Sequence, residues 1–179
     1  MKTLLNQITS IIISFNLILT PSIVSAVNLE VDGTTNTTLD KARNDVPIVN
    51  IANPNSKGLS HNKYIYYNVG SNGLILNNSM VQDTYTQLGG YIYGNTNLSI
   101  NAKVILNEVT SLNKTYINGY TEIAGQKANL VIANPNGLYI NGGGFINTAN
   151  VTLTTGRANI VNEIIASYSV QQGSIEIRT

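Results

Sequence analysis

Apolar and polar residues alternate along the chain in short runs, each closed by Asn, Gly or Pro. The runs are "VPIVNIA" (46–52), "GLILNN" (73–78), "LSINAKVIL" (98–106), "LVIA" (130–133), "GLYIN" (137–141), "NVTLTTG" (150–156) and "GSIEIRT" (173–179). A period of two with turn residues between the runs marks half-buried strands, so the pattern predicts an all-β chain. One window, "TTLDKARN" (37–44), looks helical, although it is short and lacks an apolar stripe.

The runs carry a weak repeat. Asn72-Gly73-Leu74-Ile75-Leu76-Asn77 resembles Asn136-Gly137-Leu138-Tyr139-Ile140-Asn141. Asn-x-Asn turns begin at Asn53, Asn95 and Asn134, roughly forty residues apart, or about two coils of a solenoid whose coil takes some twenty residues. A β-sandwich also gives short strands with turns between them. The repeat favours a parallel β-helix, in which each side chain stacks on its equivalent one coil away. The expected inward set is Leu74, Leu76, Ile100, Leu130, Ile132, Leu138, Ile140, Val151, Leu153, Ile175 and Ile177, with Asn97, Asn101, Asn136 and Asn141 as candidate amide ladders. Open solenoid ends need covering. The segment "VNLEVDG" (27–33) is the expected cap at one end, and the strand-like run ending at Thr179 reads as truncated at the other.

Each turn has its own chemistry. In Asn134-Pro135-Asn136-Gly137 the first Asn can accept from an amide two residues on, Pro presets φ near −65°, and Gly suits the fourth position of a type I turn. Asn53-Pro54-Asn55-Ser56 can make the same turn less tightly. Asn95-Thr96-Asn97-Leu98 keeps both Asn residues without the ring.

Composition adds constraints. Of 179 residues only 11% are charged and the net charge is +1, so nothing marks a nucleic-acid partner. The chain holds 27 Asn and 15 Gly, which suits turns and strands rather than long helices. Residues 1–26 read as a secretory signal peptide. Lys2 precedes the apolar run "ITSIIISFNLIL" (8–19), and Pro21, Val24 and Ala26 follow it. The run is shorter than a membrane-spanning helix. No cysteine is present, so an exported form is held by burial and hydrogen bonds without disulfides.

The segments "VPIVNIANPNSKGLSHNKYIYYNV" (46–69), "GLILNN", "LGGYIYGNTNL" (88–98), "VILNEVTSLNKTYINGYTEIAGQKANLVIANPNG" (104–137), "GFINTANVTLTTG" (144–156) and "VQQGSIEI" (170–177) occur in one order. In that order they resemble the two-partner secretion domain of filamentous-haemagglutinin-type adhesins and contact-dependent growth inhibition exoproteins, over nearly all of residues 27–179. The resemblance implies a right-handed parallel β-helix with short extra-helical strands or hairpins. It implies recognition by the POTRA domains of a TpsB-type outer-membrane β-barrel transporter. It also implies passage through the periplasm to the surface of a Gram-negative bacterium, and folding that starts a passenger adhesin or toxin beyond this chain, where any host or neighbouring-cell receptor would be engaged. The family's two Asn-Pro-Asn motifs correspond to Asn95, Asn97 and Leu98, with Thr96 in place of proline, and to Asn134, Pro135, Asn136 and Gly137. With Asn53, Pro54 and Asn55 these are the candidate secretion-motif residues. A stand-alone adhesive module is the alternative.

Catalysis finds little support in the residues. The nine acids are scattered, with only Glu30 and Asp32 sharing a strand face. His61 is the only histidine and reads as a polar packing residue. Gly142-Gly143-Gly144 lacks a following Lys-Ser/Thr and reads as a tight loop. No catalytic residue, metal or cofactor is expected. Tyr64, Tyr66, Tyr67, Tyr85, Tyr91 and Tyr93 form an aromatic-rich region, expected mostly as half-buried sheet residues, with contact to a partner or sugar as the alternative.

Overall fold

The computed structural model describes residues 29–170 and 172–178, so the segment read as a signal peptide lies outside the described residues. Within them the chain forms seventeen strands and no helix. The chain winds as a parallel β-helix with three faces. The first face orders β1 (Leu29–Val31), β4 (Leu59–Tyr67), β8 (Val104–Val109), β11 (Ala128–Ala133) and β14 (Thr148–Thr154). The second orders β13 (Gly144–Ile146), β10 (Tyr120–Gly125), β5 (Leu74–Asn78), β3 (Pro47–Asn50) and β2 (Thr38–Lys41). The third orders β17 (Ile175–Arg178), β12 (Leu138–Asn141) and β9 (Thr115–Ile117). Glu122 pairs with Ile146 and Leu130 with Val151 in parallel register, so an undecorated coil takes roughly 21–24 residues, close to the sequence expectation.

Alternation puts one residue in two into the lumen, where columns form along the axis. Val49, Leu76 and Ile123 make one, and Leu138 and Ile140 stack on Thr115 and Ile117 in another. Tyr64, Tyr67, Ile105, Leu130 and Ile132 fill the lumen with them. Of the expected inward set, Leu74, Leu76, Leu130, Ile132, Leu138 and Ile140 are buried, and Val151 and Leu153 are half-buried. The others differ for positional reasons. Ile100 is exposed because the chain is still in a loop there and the strand begins only at Val104, leaving Leu98 to point inward. Ile175 and Ile177 keep the column register with Leu138 and Ile140 but are exposed, since no described coil lies on their far side.

The first coil is capped as expected by β1, which runs antiparallel to β4. A second cap was not anticipated: the helical-looking window is β2, antiparallel to β3. Edge pairing overrides the weak helix preference of "TLDK" because β3 would otherwise leave its backbone unpaired. The two Asn-Gly-Leu repeats also land on different faces, β5 on the second and β12 on the third, so they share a turn signal rather than a stacking column.

Two hairpins cover the outside. The β6 (Thr84–Thr86) and β7 (Gly90–Ile92) pair lies over the second face, where Ile92 and Leu88 pack on Ile48, Ile75 and Ala124. The buried Glu122 carboxylate accepts from the Gln87 and Leu88 amides at 2.8 Å each and so fixes the loop between those strands. The β15 (Gly156–Val161) and β16 (Ile164–Val170) pair folds over the first face, placing Ala158, Ile165 and Tyr168 on Leu59, Leu106 and Val131. Its two loop residues, Asn162 and Glu163, both have positive φ, as the tightest hairpin turn requires.

Candidate functional site

A coil must turn three corners, and at each corner backbone carbonyls point where no strand can pair with them. Such groups need another donor. Asparagine supplies it, because its short side chain carries an NH2 donor and a carbonyl acceptor together. At the corner between the first and third faces Asn134 is fully buried. Its Nδ2 donates to the Asn113 carbonyl and to Thr115 Oγ1, both at 2.9 Å, one coil below. Its Oδ1 accepts from the Asn136 amide at 2.9 Å, and the Gly137 amide donates back to the Asn134 carbonyl at 3.0 Å. Asn136 Nδ2 reaches the Ser111 carbonyl at 2.8 Å. Gly137 has φ +110°, and a Cβ there would stand 2.8 Å from the Ser174 carbonyl oxygen of the next coil. Only glycine fits that position without strain.

The turn at Asn95 has the same construction without proline. Asn95 is buried, its Oδ1 accepts from the Asn97 amide at 2.9 Å, and the Leu98 amide donates to the Asn95 carbonyl at 3.2 Å. Asn95 Nδ2 donates to the Ile51 and Asn77 carbonyls, at 2.9 and 3.0 Å. Asn97 Nδ2 reaches the Asn36 carbonyl at 2.9 Å. These partners belong to the corner between the second and first faces, so the two motifs sit at different corners.

Asn53 and Asn55 depart from the sequence expectation. The turn forms at Asn55-Ser56-Lys57-Gly58, where the Gly58 amide donates to the Asn55 carbonyl and Gly58 supplies positive φ that Ser56 could not. Asn53 instead accepts on Oδ1 from the Ser99 amide and hydroxyl, at 2.8 and 3.0 Å, and so ties itself to the loop after Leu98. Pro54 is buried between them. Asn55 Nδ2 donates to the Glu163 carbonyl at 2.8 Å, and Ser56 Oγ donates to the Glu163 carboxylate. The β15–β16 hairpin tip is thereby strapped to the first coil.

The expected amide ladders at Asn97, Asn101, Asn136 and Asn141 do not form. Asn97, Asn101 and Asn136 donate to backbone carbonyls of other coils, and Asn141 is exposed beside Arg178 in the register. Corner carbonyls are the more demanding acceptors, because they have no strand partner. Side-chain amides do pair between coils at Asn77–Asn50 and Asn150–Asn129, both 2.9 Å. Sequence reasoning passed over Asn78, Asn107 and Asn147. Asn78 is buried, accepts from the Ala102 amide and donates to the Ala102 and Gln126 carbonyls. The signal was available, since Asn ends several of the alternating runs.

The tyrosines divide sharply. Tyr64 and Tyr67 are wholly buried, with ring centres 4.9 Å apart and Asn107 bridging both hydroxyls. Burial pushes both phenols well above their ordinary range. Tyr85, Tyr91 and Tyr93 are exposed. His61 is a packing residue with a partner, Glu108, at 2.8 Å. Asp32 spends its carboxylate on Thr34 and Thr110. Gly142-Gly143-Gly144 is the expected tight loop, with Gly143 against Ile117 and Gly144 against the Tyr120 ring. No group of three His, Cys, Asp or Glu among the described residues could hold a metal ion.

This asparagine-cornered helix has known counterparts. The family model for the TPS secretion domain matches residues 28–179. The chain belongs to the TPS secretion domain family. It is 51% identical over 164 residues to the 16S rRNA endonuclease CdiA of Enterobacter cloacae, an alignment covering 90% of this chain and 5% of that protein. It is 45% identical over 134 residues to the filamentous hemagglutinin of Bordetella pertussis, covering 75% and 4% respectively. Among solved structures the crystal structure of the filamentous hemagglutinin secretion domain superposes with a TM-score of 0.77 at 41% identity, covering 83% of this chain and 48% of that one. The chain thus spans about one-twentieth of the curated relatives it matches.

Proposed function

We propose that this TPS secretion domain is the amino-terminal export module of a larger two-partner secreted exoprotein. In this reading residues 1–26 direct the chain to the periplasm. The POTRA domains of a TpsB-type outer-membrane barrel then receive residues 27–179, and folding of the β-helix at the cell surface starts folding of a passenger that follows. The domain itself performs no catalysis. What carries the reading is the Asn134 corner within a chain of this family. Asn134 and Gly137 are buried and hold the turn, whereas Pro135 and Asn136 are half-exposed beside the strongly exposed Leu112 and the exposed Tyr116. A rigid turn with an apolar border suits a partner that reads shape.

The test is export of the chain from cells co-expressing its partner barrel. Deleting residues 134–137 should abolish appearance of the protein outside the cell; unchanged export would sink the proposal. The paired substitution Asn136→Ala with Gly137→Ala separates holding from reading. Loss of the Ser111 bond and the strain at Gly137 should cost about 2–3 kcal/mol of stability. Lost export with an unchanged melting temperature would assign the corner to direct contact instead. The adhesive alternative is favoured by one observation, the exposed tyrosines of the β6–β7 hairpin.

A further inference from the structure

Four asparagines in the chain stand directly before glycine: Asn72, Asn118, Asn136 and Asn141. In such a pair the glycine nitrogen can close a five-membered ring on the asparagine carboxamide carbon, because glycine has no Cβ to obstruct the approach. The reaction needs a side chain in solvent, a glycine amide without another partner and room for the glycine to move. Gly73 and Gly137 donate their amides to the Gly70 and Asn134 carbonyls, at 2.9 and 3.0 Å. Asn118 is exposed, but Gly119 is wedged between coils: a Cβ on it would stand 2.0 Å from the Gly70 carbonyl oxygen. Asn141 meets all three conditions. It ends β12 one residue beyond the last β9 pair and is exposed. Among the described residues neither its side chain nor the Gly142 amide has a hydrogen-bond partner. Gly142 has φ +74°, and nothing lies within 4 Å of where its Cβ would be.

We infer that Asn141 is a spontaneous modification site, converting to aspartate and isoaspartate while the other three pairs persist. The Gly142 nitrogen attacks Asn141 Cγ and gives up its proton; the Cγ–Nδ2 bond breaks, and ammonia leaves with that proton. A succinimide remains, and water then opens it. Cleavage between the Gly142 nitrogen and Cγ gives aspartate, whereas cleavage between that nitrogen and the main-chain carbonyl carbon gives isoaspartate. One water enters and one ammonia leaves, with no change in oxidation state. Elsewhere the fold slows the attack, because breaking the amide hydrogen bond at Gly73 or Gly137 first lowers the rate about tenfold. The products act on the third face. A new carboxylate at this position lies opposite Arg178 in the register, where Glu176 already holds the guanidinium at 2.8 Å. Isoaspartate also routes the main chain through one further carbon, so the Asn141–Arg178 pairing that closes the β12–β17 ladder is lost.

The experiment incubates the purified protein in mildly alkaline buffer made with heavy-oxygen water, and peptide mapping by mass spectrometry follows each Asn-Gly pair with time. In the folded protein Asn141 should convert about tenfold faster than Asn72 or Asn136, with Asn118 also lagging, and the product should carry one heavy oxygen. In protein unfolded by urea the four rates should converge, because only the fold separates them. Asn141→Gln, at an exposed position, should remove most of the isoaspartate detected by enzymatic methylation and leave the melting temperature unchanged. Conversion of any other pair as fast as Asn141 in the folded protein overturns the inference. So does undiminished isoaspartate in Asn141→Gln, or the same ranking in the unfolded chain, which would assign the selectivity to local sequence. Because the readout is the covalent product, it stands or falls independently of export.

Discussion

Asn107 shows what a single buried amide does in this lumen. Its Oδ1 accepts from the Tyr64 hydroxyl at 3.2 Å and its Nδ2 donates to the Tyr67 hydroxyl at 3.1 Å, all three groups being closed to solvent. Asn107→Ala removes the acceptor of the Tyr64 hydroxyl and one partner of the Tyr67 hydroxyl, which also faces Thr121, and an unsatisfied buried group costs on the order of 1–3 kcal/mol. Denaturant titration should register a loss of about 2–4 kcal/mol. The same pair sets an alkaline limit. Burial, with the neighbouring phenol adding to it at Tyr64, raises both folded pKa values above the ordinary phenol value of about 10. A raised folded pKa means that the stabilisation is complete below the unfolded value and declines as pH rises beyond it. Stability measured across the alkaline range should therefore fall above pH ~10, and Tyr67→Phe should flatten that slope.

At the scale of the turn, two motifs with different sequences close with the same pair of hydrogen bonds, although Gly137 takes φ +110° and Leu98 does not take a positive φ. Asn95-Thr96-Asn97-Leu98 reproduces the hydrogen bonds of Asn134-Pro135-Asn136-Gly137, and Thr96 is exposed at the place of Pro135. Thr96→Pro should fit without clash and raise stability by about 0.5–1 kcal/mol, chiefly by restricting the unfolded chain. A lower melting temperature would show that the two turns differ in backbone shape. Such elements were readable from residue order because a turn's chemistry is local. What escaped reading was non-local. The turn formed two residues beyond Asn53, closed by the Gly58 amide on the Asn55 carbonyl, while Asn53 was drawn to Ser99, 46 residues away. "TTLDKARN" carries no sign of the β3 edge that makes it a strand. The asparagines were expected to stack on one another, but which carbonyls lack a strand partner is decided only once the coil closes.

For the whole molecule, the alternating runs and spaced turns foretold a parallel β-helix of about the right coil length, and the ordered motifs foretold the family. Which faces would be covered was not legible, because the β6–β7 and β15–β16 hairpins meet the helix through contacts distant in sequence, such as Glu163 with Asn55 and Ser56. The resulting molecule holds an apolar lumen, two covered outer faces and a half-exposed asparagine corner, which is compatible with the proposed export. The central claim is that its export depends on a partner's POTRA domains. The most direct measurement is the amount of protein outside cells carrying either the intact partner barrel or one lacking its POTRA domains. The account predicts export with the intact partner and retention in the periplasm without the POTRA domains; equal export in both strains would contradict it.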